Sequence, residues 1–209
     1  GEISGQVHNV RIIGVDIAPL VEAELERRMP ERAAMRPADA DGFRAAWLIL
    51  GRLWGETIDR AQARPEIELH HRVGDEWSFI ETLRHLSFAS ACWVDRMILG
   101  IADPWHPLDL PWDEAPGWAG VPWDREARPS LREVLALRAQ RAATLERVMA
   151  ELTDEALGRE VEVTDGGPPE VGSTSVEHCL RVVLREHWEH RLFAERDLMA
   201  MDETTGRVV

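Results

Sequence analysis

From Phe43 onward apolar side chains recur at spacings of three and four. Phe43, Trp47, Leu50, Trp54 and Ile58 fall on one face of a helix. The polar stretch Asp39-Ala40-Asp41-Gly42 supplies its start, and Pro65 marks its end. A second helix begins near Ser78, where Ser78 and Glu81 have the spacing of a capping box. A third runs from Ser130 to about Leu152, with Leu131, Leu135, Ala142, Leu145, Met149 and Leu152 as its stripe and Ser130 with Glu133 as its box. A fourth covers about Ser175 to Met201, its stripe made by Val176, Leu180, Val183 and Ala194, with Thr174 and Glu177 repeating the start signal.

Ahead of these, residues 2–17 are rich in β-branched residues and broken by Gly5 and Gly14. They predict one or two short strands or an extended arm. A short helix over Ala18–Met29 follows, stopped by Pro30. The connection ADPWHPLDLPWDEAPGWAGVPWDREARP holds Trp105, Trp112, Trp118 and Trp123 among many prolines, so regular structure is not expected there. A connection that long inside a compact domain is usually functional, and four tryptophans imply that it packs down on the helices. Residues 153–173 form a second irregular link. The pattern predicts an all-α protein, a four-helix bundle with long crossover connections plus a short N-terminal arm and helix. The expected organisation is an arm and short helix over 1–38, a bundle over 39–203 and a tail over 204–209.

Composition narrows the partners. The chain has 209 residues, 44% of them hydrophobic and 30% charged, and its formal net charge is −14. Such a surface repels nucleic acid and anionic lipid. No stretch is long and apolar enough for a membrane span, and the start lacks the layout of a signal peptide, so a cytoplasmic protein is expected. The two cysteines, Cys92 and Cys179, lie in apolar helical contexts and read as buried reduced thiols. An apolar arm with free strand edges could pair two copies, so a homodimer is also expected.

Candidate chemistry concentrates in the last helix, at LREHWEHRLFA. The positions that continue the apolar stripe between Val183 and Ala194 are His187 and His190. Two imidazoles directed into a core need a metal, a substrate or a hydrogen-bond network as partner. Glu186 stands four residues before His190 and could complete or replace a ligand. Arg138 interrupts the third helix's stripe where leucine would be expected. It either faces a pocket and binds a ligand's carboxylate, or packs its stem inward while its head reaches water or an acid. Asp197 lies near the same side as His190. A Gly-rich phosphate loop, a serine nucleophile elbow and a paired Cys-x-x-Cys are all absent.

DEWSFIETLRHL, followed by the tryptophan-rich crossover and then by CLRVVLREHWEHRLFAERDL, resembles the DinB-like (YfiT-like) superfamily over about residues 39–203. The resemblance implies a four-helix bundle and a divalent metal, zinc or nickel. It also implies transferase or hydrolase chemistry on a small molecule, with a low-molecular-weight thiol as the coordinated species in thiol-dependent relatives. Metal-binding members place one histidine on the second bundle helix and a His-x-x-x-His pair on the last. His85 matches the first position and His187 the second. The third falls on Arg191, with His190 one residue earlier, so the metal set implied is His85, His187 and His190. Arg191 in a ligand position implies the alternative, a non-enzymatic binding or interaction protein with a degenerate site. Arg138 and Arg191 would then meet an anion.

Overall fold

The computed structural model describes residues 10–74, 76–118, 120–164, 167–170 and 172–205. The chain opens with a hairpin of β1 (Arg11–Ile12) and β2 (Val15–Asp16), antiparallel, with Ile12 opposite Val15. Ile13 and Gly14 at its tip have φ of 51° and 77°. Two left-handed residues in succession make the turn whose twist matches the flanking strands, and glycine takes that conformation without a Cβ clash. The expected arm is thus a hairpin; its first residues, Gly5 and His8 included, lie outside the described residues. Helix α1 (Ala18–Arg28) follows, and Pro30–Met35 form a short 3-10 turn.

Four long elements build the bundle: α2 (Ala40–Gln62), α3 (Phe79–Ser90) with its continuation Ala91–Ile98, α4 (Leu131–Glu151) and, after a one-turn helix α5 (Asp154–Leu157), α6 (Val176–Thr205). The start signals explain three of the boundaries. The Asp39 carboxylate accepts from Gly42 N at 2.7 Å, and reciprocal capping boxes link Ser78 with Glu81 and Ser130 with Glu133. The fourth differs from expectation. Thr174 lies within a strand, and Ser175 caps α6 by accepting from His178 N at 3.1 Å. Both residues can cap and both are paired in the strand, but Ser175 is its last residue and so stands at the boundary.

The second half of the α3 rod is π-helical: Leu99 N reaches back to Val94 O, five residues away, at 3.0 Å. The rod ends at Gly100, whose φ is 68°. Nearly every side chain of α3 is buried, because α4 and α6 cover it on two sides and the crossover on another. The link after α4 also holds regular structure that periodicity does not predict. β3 (Glu160–Glu162) pairs antiparallel with β4 (Ser173–Ser175), and Val161 alone turns inward from its flanking glutamates.

The core divides into two apolar clusters. One joins Phe43, Leu50, Met97, Leu145, Met149, Leu180 and Leu184; the other joins Trp54, Phe79, Leu83, Leu86, Leu131, Val134 and Leu198. Between them lies a polar waist that includes Thr57, Ser87, Ser90, Arg138 and His187. On α4 the centre of the buried face is Val134, Leu137 and Leu145, while Leu135 and Ala142 of the expected stripe sit half-buried at its edge.

The crossover is fastened by charge as well as by rings. Arg84, 1% exposed, donates to the carbonyls of Leu108 and Ala127, each at 2.8 Å, and to that of Asp124. Phe88 packs against Trp105, Trp112 and Trp123, and Trp118 stands between Trp112 and Trp123. These tryptophans remain partly in contact with water, and Trp112 is 39% exposed.

Arg141 of α4 pairs with two buried carboxylates, Asp95 of the π-helical segment and Asp109 of the crossover. Burial outweighs that guanidinium at Asp109 and pushes its carboxyl up to about 6. The folded state therefore holds this proton more tightly than the unfolded chain. The stability it adds is complete below about pH 4 and is lost as pH climbs through 6, on the order of 2–3 kcal/mol for a shift of that size. Asp109→Asn should remove this component. Urea unfolding between pH 5 and pH 7.5 checks it, the variant gaining on the wild type as pH rises.

Candidate metal centre

His85 lies two turns into α3, and Glu186 and His190 stand one turn apart on α6, so the two helices meet with these three groups facing each other. One ligand atom from each lies within 4.8 Å of the others. His85 Nε2 is 3.4 Å from Glu186 Oε2, His190 Nδ1 is 3.5 Å from the same oxygen, and the two imidazole centroids are 4.9 Å apart.

Hydrogen bonds to backbone carbonyls fix the orientation of each ring. His85 Nδ1 lies 3.0 Å from Leu110 O of the crossover, and His190 Nδ1 lies 2.9 Å from Glu186 O. A carbonyl only accepts, so each Nδ1 carries a proton, and in the neutral form of the ring the Nε2 lone pair is free. An imidazole anchored in this way by a backbone carbonyl is the usual arrangement of a metal-ligating histidine. Two imidazole nitrogens and one carboxylate form a donor set suited to zinc or nickel with a position left for water or substrate.

Electrostatics matches that chemistry. Burial raises the Glu186 carboxyl, but its contacts with His85, His190 and Arg185 outweigh that and hold it below the usual range. Burial, with the His85 field, lowers His190 despite the neighbouring carboxylate. A carboxylate held ionised beside two anchored imidazole rings is ready to take up a cation.

Trp77, just before the Ser78 cap, covers the group: its ring centroid is 4.5 Å from that of His85 and stacks at 6.0 Å on His190. A cavity of about 210 Å³ opens beside it, lined by Trp77, Phe193, His190 and the carboxyl groups of Glu76, Asp113 and Asp197. Trp77 Nε1 donates to Asp113 Oδ1 at 3.1 Å, and Arg196 Nε to Asp197 Oδ1 at 2.8 Å. Asp197 thus reaches the same cavity as His190 but is held by Arg196. Trp77 and the Leu110 carbonyl escape sequence reasoning, since one precedes a helix and the other is backbone in an irregular loop.

The remaining sequence candidates lie elsewhere. His187, 3% exposed, is one residue from Glu186 but turns into the polar waist. Its Nδ1 is 3.4 Å from Arg138 Nη1, its ring meets Trp47 edge-on at 5.1 Å, and its carbonyl accepts from Trp54 Nε1 at 3.0 Å. Burial, with the Arg138 charge, pushes His187 well below the usual imidazole range. Arg138 lies over the Trp54 ring at 4.6 Å, and burial brings its guanidinium down to about 10, still a cation at neutral pH. Arg191 points to α2, where its Nε donates to Leu53 O at 3.0 Å and to Thr57 Oγ1 at 2.9 Å. Cys92 and Cys179 are buried and unpaired as expected. Burial pushes Cys179 up to about 12 and Cys92 well above its usual value, so neither is a thiolate. Among the described residues, no helix is long and apolar enough to cross a membrane.

A family model described as the DinB superfamily matches residues 49–194, from the middle of α2 into α6, and so spans all three converging groups and the crossover. No curated protein and no solved structure matches the chain.

Proposed function

The chain belongs to the DinB superfamily, and on that footing we propose that it is a divalent-metal-dependent transferase or hydrolase acting on a small molecule. His85, Glu186 and His190 would hold zinc or nickel. The observation that carries this reading is the meeting of His85 Nε2 and Glu186 Oε2 at 3.4 Å, with the imidazole's proton committed to Leu110 on its other side. In the neutral ring that is a lone pair against a carboxylate, an arrangement that a shared cation relieves.

The helical spacing of ligands implied by the resemblance survives in this reading, moved one residue toward the N-terminus. Glu186 and His190 form the i, i+4 pair in place of His187 and Arg191. A bound divalent ion would lower the pKa of a coordinated water or low-molecular-weight thiol, which supplies a nucleophile at neutral pH. The chain's own groups do the rest. Trp77 and Phe193 present apolar walls to a ligand of cavity size, Asp113 and Asp197 offer acceptors for its N–H or O–H groups, and Trp77 keeps bulk water off the ligand face of His85.

The test uses protein purified without chelator and without a nickel column. Elemental analysis should find about one zinc or nickel per chain. Stripped protein should melt higher when zinc or nickel is restored, by about 2.7 kcal/mol in stability at 100 times the dissociation constant. Negligible metal together with an indifferent melt would decide for the second reading, a binding protein with a degenerate site. One observation favours that reading: the side chain of Arg191 is engaged by Leu53 and Thr57 of α2, so the position implied for a ligand serves helix packing.

A further inference from the structure

The polar waist contains a second site, independent of the metal reading. A small cavity of about 10 Å³, room for one water-sized occupant, is lined among others by Arg138 and Arg141 of α4, His187 of α6, Ser87 and Ser90 of α3 and Trp47 of α2. Its polar groups are nearly all donors. Arg138 has no carboxylate partner among the described residues; its guanidinium lies over the Trp54 ring and meets His187 Nδ1. A guanidinium can only donate, so His187 Nδ1 accepts and the ring's proton sits on Nε2. That Nε2 is buried and makes no hydrogen bond, and the same holds for Arg141 Nε, although the rest of the Arg141 head is paired with Asp95, Asp109 and Pro104 O. The serines do not compensate, because their hydroxyls donate to Leu83 O and Leu86 O, and neither orphaned N–H reaches their lone pairs.

A half-buried guanidinium without a carboxylate partner among the described residues, beside two unanswered buried N–H groups, is a costly arrangement unless something negative completes it. We propose that this cavity binds a small monovalent anion of halide size, held by the Arg138 guanidinium and by N–H groups of Arg141 and His187. A water could accept from both orphaned N–H groups but could not neutralise Arg138, and a larger oxyanion exceeds the space. The anion would close the bundle's waist between α3, α4 and α6, linking helices that also carry His85 and Glu186.

Thermal unfolding in chloride or bromide, exchanged against gluconate at fixed ionic strength, tests this on the full chain. The wild type should melt several degrees higher as the halide replaces gluconate, by mass action on the folded state. Arg138→Met removes the half-buried charge while keeping a stem that fills the space. This variant should match or exceed the wild type in gluconate and show no halide response. Crystals grown in bromide should give an anomalous peak among Arg138, Arg141 and His187. A flat wild-type response, an equal rise in Arg138→Met, or a bromide-free cavity would each overturn the assignment.

Discussion

Arg84→Met is expected to lower the melting temperature by on the order of 10 °C, the shift that a loss of about 3–5 kcal/mol produces in a chain of this size. The guanidinium is fully buried and its hydrogen bonds run to crossover carbonyls at Leu108, Asp124 and Ala127. Methionine fills much of the volume and leaves those carbonyls without donors, so the loss comes from unanswered polar groups rather than from a void. Lysine at the same position should recover only part, because an ammonium cannot present a planar fork to carbonyls spread along the loop. The consequence extends to the candidate site, since Leu110, two residues beyond Leu108, supplies the carbonyl that orients His85. Calorimetry gives the stability and zinc titration the affinity. A change within about 0.5 kcal/mol, the range of ordinary surface substitutions, would show that the crossover is held without Arg84.

Glu186→Gln and His85→Ala should each remove divalent-cation binding. The loss should exceed the roughly 10- to 100-fold typical of deleting a group that only orients a ligand. His187→Leu should leave affinity for the cation within a few-fold of the wild type while changing stability, because its ring faces Arg138 and Trp47. Isothermal titration of zinc into chelator-stripped protein separates these outcomes. If His187→Leu abolished binding and Glu186→Gln did not, the ligand set would be the one the resemblance implied.

The contrast between positions 186 and 187 shows where reading the chain succeeds and where it stops. Apolar periodicity ranks positions by how squarely they face the core. His187 lies at the centre of the α6 stripe, and it is accordingly the more buried of the two histidines. The centre of the stripe, however, faces α4 and α2. The place where α3 approaches is the margin, reached by Glu186 and His190 on the flank. A single-helix wheel carries no information about which neighbour lies on which side. The four helices, the start signals of three of them and two of the capping boxes were legible because each rests on short-range spacing. The β3–β4 ladder was not, since Glu160-Val161-Glu162 is a pattern too short to distinguish from a loop. The π-helical turn was not either, because its bond to the fifth residue back leaves no mark on apolar spacing. Arg84 escaped for a third reason: its partners are carbonyls of a connection without any period.

The chain contains nine tryptophans and no tyrosine, so its near-ultraviolet absorption and emission come almost wholly from indole. Trp112 and Trp118 stand 5.6 Å apart and Trp118 and Trp123 5.4 Å apart, each pair nearly perpendicular. Transition dipoles at that range couple as excitons, which writes a couplet into the circular dichroism on top of the helical bands. Helix content read from that region alone would be distorted. The couplet itself would serve as an intrinsic optical gauge of whether the tryptophan-rich connection is seated, readable without any attached dye.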